Sequence, residues 1–434
     1  MSYRNAHARG RIAPVLLKRT LKYLPPLVQG VIDALSGAGV PYREDEDEAY
    51  KSRTLLGTYS GTWLSLACPR HETDGFVAFR LSSCKRDSAY TAYVSSRNRS
   101  LRNLEVRPAS FVTRLHAGTR GSKAVAGLDV VEFGGPKGTK PLGEGLSFED
   151  LGSDWAGQLT RRYSVHARRA VVVAAGAIGS PALLLRSGPD MVRTPQRPGS
   201  PSRTLPGSIG VGLRDRILLT THIVTHRSCD ELAWRTGDDV PLVFSFFNFT
   251  QANVPGAEGP LEAELVISDK CADGGRYSLT VSFVLQRTGG HGRVHVPSPH
   301  PLVAAHADLR ASAEDLQKMC ALLRWFRDHV LKHPAIWPHL HSMVPPLNLL
   351  DHDSSLELFV REAAEWYLHL SGSLANGATD GDFRVAGMPH VHVADASVLP
   401  NGLPTGHPDI AVRMLGEVVA RRLLREHELG DGFR

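Results

Sequence analysis

His369 is the residue whose type and setting best suit proton transfer. It stands where a helical pattern breaks into a loop, and Leu-Ser-Gly-Ser373 follows it. A neutral imidazole can accept a proton near pH 7, and a loop can hold that imidazole at the wall of a cavity. Because the chain contains 20 histidines, a single histidine is more often a satisfied surface or core residue. The neighbouring motifs must decide between these two interpretations.

A second histidine, His407, lies immediately before Pro408, where a long C-terminal helix is predicted to begin. Proline suits the first position of a helix, so the residues before it can simply act as a cap. The same geometry leaves the backbone N–H groups of residues 409–411 without partners inside the helix, and they carry a partial positive charge. That charge can stabilise negative charge on a bound group. The two roles are compatible.

A strand, a glycine and a helix follow one another around residue 176. Ala170 to Ala175 form a continuous apolar run, which is typical of a strand that is covered on both faces. Gly176 ends the run, Ser180 suits an N-cap, and Pro181 suits the first helical position. This α/β unit is one that brings backbone close to a bound cofactor.

The elements that must position these residues are predicted from periodicity. Helical patterns occupy residues 15–36, where Pro25-Pro26 splits them into two pieces, and also 313–331, 354–367 and 408–426. Short strands are predicted before residue 120, a series of antiparallel strands between about 240 and 310, and a last strand near 391. These strands are Tyr90–Val94, Leu104–Val106, Phe111–Leu115, Leu242–Phe247, Glu262–Ile267, Ser278–Leu285, Gly292–Val296, Val303–Leu309 and Val391–Ala394.

Composition restricts the class of protein. The 434 residues are 42% hydrophobic and 22% charged, which is ordinary globular composition, and the net charge is +6. The arginines are scattered, so a nucleic-acid partner is not indicated. No apolar run approaches the roughly 18 residues that span a bilayer, and the basic N-terminus lacks a signal-peptide core. We therefore expect a cytoplasmic protein without a membrane span.

The five cysteines are widely spread and form no close pair. Neither a disulfide framework nor a metal site is indicated by that spacing. We expect buried thiols and no bound metal.

Four stretches, taken in order, resemble the glucose-methanol-choline (GMC) oxidoreductases. The third contains His369 and the fourth leads into the C-terminal helix. Together the four stretches extend from about residue 97 to 410. They are RNRSLRNLEVRPASFVTRL at 97–115, GAIGSPALLLRSG at 176–188, WYLHLSGS at 366–373, and VADASVLP at 393–400 with GHPDI at 406–410.

The sequence also departs from the family pattern. Family members open with a strand, a GxGxxG turn and an acidic residue that hold the ADP half of FAD, and no such fingerprint occurs in these 434 residues. Residues 207–212 (GSIGVG) have the wrong spacing, and the family's LxDH motif appears as Leu213-Arg-Asp-Arg216. The resemblance therefore covers the C-terminal two-thirds of the family, and we expect the chain to begin well inside a full-length member.

The resemblance implies a fold class of α/β plus α+β. It predicts an incomplete Rossmann-like FAD-binding domain of GMC type with an antiparallel-sheet substrate cap domain. Residues 1–240 would hold the remaining part of the FAD-binding domain with cap-forming segments, and residues 241–385 the substrate-binding sheet. Residues 386–434 would return to the FAD-binding domain with the C-terminal helix.

The resemblance also implies a reaction and its residues. An FAD-dependent oxidoreductase of this kind oxidises CH–OH donors: a base removes the hydroxyl proton, and hydride passes to flavin N5. His369 would be the main base, and His407 would be its partner at a small-molecule alcohol. The electron acceptor stays open. The cofactor-binding positions implied are Val112 near adenine, Gly176 where the cofactor or a neighbouring strand approaches closely, Asp395 and Ala396 along the ribityl–phosphate portion, and Pro408, Asp409 and Ile410 at the flavin ring.

An interpretation of a different class stays open. The chain could be a catalytically silent fragment that needs a separate chain for the missing nucleotide-binding segment, or that only binds a ligand. The missing fingerprint motivates this alternative. A hydrolase is disfavoured because no GxSxG turn occurs.

Overall fold

The computed structural model describes residues 26–38, 103–117, 126–133, 159–191, 207–229, 243–249, 261–272, 274–298, 305–400 and 408–431, with Val254 and six short strands between Tyr42 and Arg86. The helices are α1 (Pro26–Gly37), α2 (Gly176–Met191), α3 (Ala313–Phe326), α4 (Asp353–Ala363) and α5 (Asp409–Asp431). The strands are β1 (Tyr42–Arg43), β2 (Leu56–Gly57), β3 (Leu66–Ala67), β4 (His71–Thr73), β5 (Phe76–Ala78), β6 (Lys85–Arg86), β7 (Ser110–Ala117), β8 (Ala126–Phe133), β9 (Leu159–Ala167), β10 (Val171–Val173), β11 (Val211–Leu213), β12 (Ile217–Ser228), β13 (Val243–Phe249), β14 (Ala263–Ala272), β15 (Arg276–Leu285), β16 (Gly292–His295), β17 (His306–Asp308), β18 (Leu340–Val344), β19 (Glu365–Trp366) and β20 (Val391–Val393).

The chain forms two compact units that alternate along the sequence. The first unit comprises Met1–Leu101, Arg216–Gly289 and Ala311–Tyr367, and the second comprises Arg102–Asp215, Gly290–Arg310 and Leu368–Arg434. The division into 1–240, 241–385 and 386–434 stays a prediction. Within the described part of the chain, no helix is both long enough and apolar enough to cross a membrane.

An antiparallel sheet organises the first unit. Its strand order is β13-β14-β15-β12-β18, and β19 pairs with β12. Buried and half-buried residues alternate along β12, which shows that one face is covered. The covered face belongs to an apolar cluster in which the Phe283 and Phe326 rings meet edge to face at 5.1 Å. Helix α1 contributes Leu27, Val31 and Leu35 to this cluster.

Helix α3 begins where the sequence predicts it. Ser312 is the N-cap: its hydroxyl accepts from the Asp315 N–H, and the Asp315 carboxylate accepts from the Ser312 N–H. This reciprocal arrangement satisfies two donors at the helix start. Asp315 is fully buried and also accepts from the Gly289 N–H at 2.9 Å. The helix continues as a π-helical turn, Arg327–Leu331.

Some expectations for the first unit are wrong. Strand β12 had not been predicted, although it is the partner of both β15 and β18. The helix expected over 354–367 ends at Ala363, because the following residues pair with β12 as β19. Cys229 and Cys271 form a disulfide, so the expectation of thiols fails for this pair. Cys320 is a buried free thiol, and burial raises its pKa to about 11.

The second unit contains three smaller sheets. They are the antiparallel meander β7-β8-β9, the parallel pair β10-β20, and the antiparallel set β11-β16-β17. A second apolar cluster joins α2 and α5 to the parallel pair and includes Leu184, Val173, Val393, Leu415 and Val419. Leu415 and Val419 of the C-terminal helix are buried, whereas Met414 is 50% exposed and Leu424 is 62% exposed, so the helix buries only part of its apolar residues.

The strand and helix around Gly176 differ from expectation in detail. The strand is only Val171–Val173, and Val172 is 45% exposed. The described residues therefore do not cover the strand on both faces. Helix α2 begins at Gly176. Ser180 is therefore not its N-cap but its fifth residue, which is buried. The Asp395 carboxylate accepts from the Gly176 N–H at the helix start.

Three other predictions on secondary structure have different outcomes. The strands predicted at 292–296 and 303–309 exist as β16 and β17, but they form an antiparallel set with β11 in the second unit, in which β16 pairs with both β11 and β17. Residues 104–106 form no strand. Residues 90–94 and the helical piece before Pro25 lie outside the described residues. The mixed α/β structure with antiparallel sheets confirms the predicted fold class.

Candidate active site

Asp395 joins two of the sequence motifs inside the second unit. One carboxylate oxygen accepts from the Gly176 N–H at 3.0 Å and from the Ser180 hydroxyl. The other accepts from the Ser397 N–H at 2.8 Å and from its hydroxyl at 2.5 Å. The residue is buried, and its carboxylate is engaged by these donors of the chain itself. Hydrogen bonds to a carboxylate are about twice as strong as neutral ones, so Asp395 fixes the loop geometry at this point.

Gly176 has a backbone that other residues adopt with difficulty. Its φ is +80°, and apart from its chain neighbours and the backbone of its own helix, no atom of the described residues lies within 4 Å of the position that a Cβ would take. Glycine is thus required by the left-handed conformation rather than by crowding from the protein. The sequence had suggested close approach of a cofactor or a strand. The space beside Gly176 is open, and no described strand occupies it.

The segment Leu368–Ser373, here called the His369 segment, packs directly against the backbone of Gly212 and Arg214 in and next to β11. Arg214 and Ser371 exchange two backbone hydrogen bonds, each 2.9 Å long. Gly372 has a φ of +85°, and a Cβ on it would lie 2.7 Å from the Gly212 carbonyl oxygen. Glycine is the residue that permits this crossing.

The His369 segment is also bound to both other motifs. The Ser373 hydroxyl donates to the Ala177 carbonyl oxygen at 2.6 Å, which links the segment to α2. The Gly372 N–H donates to the Ala396 carbonyl oxygen at 3.1 Å, which links it to the turn after β20. Motifs that are about 190 to 220 residues apart in sequence therefore meet in one hydrogen-bonded assembly.

His369 itself is half-buried, and its backbone is fixed by Asp215. The N–H groups of Leu368 and His369 each donate to one oxygen of the Asp215 carboxylate, both at 2.8 Å. Asp215 is 4% exposed, whereas the Leu368 side chain is 78% exposed with a left-handed φ of +61°. The structure places His369 in the second unit together with the predicted cofactor-binding positions.

The start of α5 is described from Pro408 onward. The Pro408 carbonyl oxygen accepts from the Val412 N–H at 2.9 Å, and Asp409 and Ile410 are the first residues of the helix. The predicted helix start is thus confirmed, while His407 lies outside the described residues. Val112 lies on β7, half-buried against the second apolar cluster. The roles of these residues toward a cofactor stay predictions.

Sequence reasoning missed the carboxylate partners. Asp215 had been noted only as part of an imperfect LxDH motif, and Ser180 only as a cap. The one available signal was the position of Asp215 within that motif, because its bonds to residues 153 and 154 positions away leave no local pattern.

A buried polar chain in the first unit was missed as well. The Arg216 Nε donates to the Gln286 side chain at 2.9 Å, and Gln286 donates to Glu264 at 2.6 Å. Glu264 is fully buried in β14. Burial, and secondarily the Glu264 carboxylate, raises the pKa of Tyr367 far above its usual range. Tyr367 therefore keeps its phenolic proton at any physiological pH.

Part of this arrangement lies in a region that matches a known family. Residues 289–416 match the family model for GMC oxidoreductases. The chain carries a GMC oxidoreductase domain. The resemblance suggested by the four motifs is confirmed. This GMC domain includes His369, Asp395, Ala396 and Pro408, whereas Val112 and Gly176 precede it.

Curated relatives of the GMC domain include oxygen-dependent choline dehydrogenases. The chain is 26% identical over 328 residues to that of Proteus mirabilis, which covers 69% of this chain and 56% of the relative. It is 28% identical over 306 residues to that of Xanthomonas euvesicatoria, which covers 62% and 52%. The chain therefore spans a little over half the length of these relatives.

Solved structures show the same fold. A pyridoxine 4-oxidase from Mesorbium loti aligns with a TM-score of 0.62 at 18% identity, covering 93% of this chain and 70% of that chain. An FAD-dependent oxidoreductase from Chaetomium thermophilum aligns with a TM-score of 0.65 at 18% identity, covering 98% and 77%. FAD, the cofactor expected from the sequence, is the cofactor of the family.

Proposed function

We propose that this chain is an FAD-dependent oxidoreductase that acts on CH–OH donors, with His369 as the proton acceptor. The observation that carries the proposal is the convergence of the three motifs. The His369 segment, the start of α2 and the turn at Asp395 are joined by hydrogen bonds in the second unit. The family match supports the class of reaction.

The proposed work of the chain is proton transfer and orientation. The His369 imidazole accepts the hydroxyl proton of the alcohol, and His407 serves as its partner at the same hydroxyl. FAD, when bound, supplies the N5 position that accepts the hydride. The fixed backbone around His369 limits the positions that the imidazole can take, which is a condition for efficient proton transfer.

Several groups suit the cofactor. Gly176 offers an unobstructed backbone next to the start of α2, and the Asp395–Ala396 backbone adjoins it through the Asp395 carboxylate. Helix α5 begins with Asp409 and Ile410 after Pro408, and its N-terminus carries a partial positive charge that favours a reduced, anionic flavin. We assign Val112 to the adenine end.

We propose that the antiparallel sheet of the first unit is the substrate-binding cap and that the substrate is a small-molecule alcohol. Choline is the first compound to test, because the curated relatives are choline dehydrogenases. Pyridoxine is the second, after the Mesorbium loti enzyme. Oxygen is the first electron acceptor to test, because the choline dehydrogenases are named oxygen-dependent.

The test begins with cofactor binding. The purified chain is titrated with FAD, and the visible absorbance is followed before and after anaerobic addition of choline or pyridoxine. We expect saturable binding and bleaching of the flavin band by at least one alcohol. A colourless protein that does not take up added FAD would contradict the proposal.

A second candidate keeps the same site but needs another chain for the ADP half of the cofactor. It is favoured by one observation: the 434 residues contain no strand–GxGxxG–helix unit. Comparing FAD with FMN tests it directly. A chain that recognises only the flavin end binds the two with similar affinity, whereas a chain that also holds the adenosine end binds FAD far more tightly.

A further inference from the structure

The backbone at His369 is held by a single buried carboxylate. Asp215 is 4% exposed and accepts two successive N–H groups, from Leu368 and His369, at 2.8 Å each. Oδ2 accepts from the Leu368 N–H and Oδ1 from the His369 N–H, so the carboxylate fixes the positions of both peptide groups. Charge-assisted bonds of this kind are stronger than neutral ones, and they are stronger still in a buried setting.

The conformation held in this way is one that the sequence does not favour locally. Leu368 adopts a φ of +61°, which is uncommon for residues other than glycine. Its side chain is 78% exposed, so apolar packing does not impose the conformation. Backbone strain of this type persists where surrounding bonds fix it, and such residues cluster at active sites.

We propose that Asp215 is a positioning residue for His369: its carboxylate fixes the left-handed turn at Leu368 and thereby sets the place from which the His369 imidazole acts. The inference rests on the proposed function of His369. Asp215 contacts the His369 backbone and not the reacting atoms. An asparagine at the same place keeps one acceptor oxygen but turns an amide donor toward one of the two N–H groups.

Two other aspartates have the same local chemistry and serve as matched controls. Asp315, in the first unit, is fully buried and accepts from two backbone N–H groups at 2.9 and 3.0 Å. Asp380, in the second unit, is exposed and accepts from the Asp382 and Arg384 N–H groups at 2.9 Å each. The N–H groups that these two carboxylates accept from belong to residues outside the His369 segment.

The experiment compares Asp215→Asn with Asp315→Asn and Asp380→Asn in the full chain with FAD. Hydrogen exchange of the 368–373 backbone and the rate of His369 modification by diethyl pyrocarbonate are measured by mass spectrometry. We expect Asp215→Asn to accelerate exchange at 368 and 369 and to change the His369 modification rate several-fold. The limiting rate of flavin reduction should fall about 100-fold, with KM nearly unchanged. The control variants should behave as the unaltered chain in all these respects.

The readouts separate the two proposals. If the unaltered chain reduces no flavin, the proposed function fails, and the exchange and modification rates still decide whether Asp215 positions His369. If Asp215→Asn leaves both rates unchanged, the inference is overturned. It is also overturned if the reduction rate falls no further than in Asp315→Asn, because the effect would then reflect stability alone.

Discussion

The first unit contains one sheet of six strands packed against helices around a large apolar cluster, whereas the second consists of sheets of two or three strands. Distant segments of the second unit are tied together by side-chain to backbone hydrogen bonds. Buried aspartates show the contrast. Asp315 bonds to groups 3 and 26 residues away, while Asp395 reaches Gly176 across 219 residues. The predicted chemistry lies in the second unit, where loop positions depend on such long-range bonds.

The largest expected effect on stability comes from removing a long-range carboxylate. Asp395→Ala leaves several buried donors without an acceptor and should lower the free energy of unfolding by about 3–5 kcal/mol. Asp315→Ala removes the N3 half of the capping box of α3 and should cost about 1–2 kcal/mol. Urea unfolding of both variants measures the difference. Equal losses of unfolding free energy in the two variants would contradict the view that the second unit depends more strongly on long-range carboxylate bonds.

The disulfide gives the first unit its own covalent long-range link. Cys229 and Cys271 are separated by 42 residues, and closing a loop of that length stabilises a fold by about 2–4 kcal/mol. We expect a reductant to lower the unfolding free energy of the unaltered chain. In the Cys229→Ser/Cys271→Ser variant, the reductant should lower the unfolding free energy by less. The same fall in both proteins would mean that this pair contributes nothing.

Leu368 tests whether the turn in the second unit is strained. Leu368→Gly relieves about 1 kcal/mol of left-handed strain, partly offset by the greater freedom of glycine in the unfolded chain. Leu368→Val adds a β-branched side chain to the same conformation. The glycine variant should be more stable than the valine variant by about 1–2 kcal/mol, as measured by thermal unfolding. A more stable valine variant would show that the turn is extended in solution.

The smallest effect concerns pH. His392 is buried in β20, and burial lowers its pKa, an effect partly offset by a hydrogen bond to the Asp382 backbone. As pH falls through about 6.5, the unfolded chain takes up a proton that the folded chain resists, so stability is lost on acidification. His392→Gln should flatten this part of the stability curve, and the exposed His390→Gln should not. If His392→Gln left the dependence of stability on pH unchanged, His392 would not be the source of the loss on acidification.

Local patterns in the sequence predicted the local parts of the fold. The start of α3 and the strands β13 to β15 follow from periodicity, and the start of α5 follows from Pro408. The fold class and His369 came from motifs. Strand β12 was not predicted because its sequence, ILLTTHIVTHRS, does not alternate between apolar and polar residue types, although burial alternates along it.

The long-range parts could not be predicted in the same way. The bonds of Asp215 and Asp395 join residues more than 150 positions apart, and no short window of sequence contains both partners. The spacing of Cys229 and Cys271 carries no information on pairing either. Ser180 shows the same limit. Its residue type suits a helix cap, but in the structure its hydroxyl donates to the Asp395 carboxylate and so links α2 to the turn after β20.

The rate of flavin reduction in the anaerobic FAD complex tests the central claim most directly. The unaltered chain, His369→Asn and the exposed-site control His390→Asn are mixed with the same alcohol, and the bleaching of the flavin band is followed. We predict that His369→Asn retains its affinity for FAD but reduces the flavin about 10²- to 10⁴-fold more slowly, while His390→Asn matches the unaltered chain. Equal rates in all three proteins would contradict the assignment of His369 as the proton acceptor.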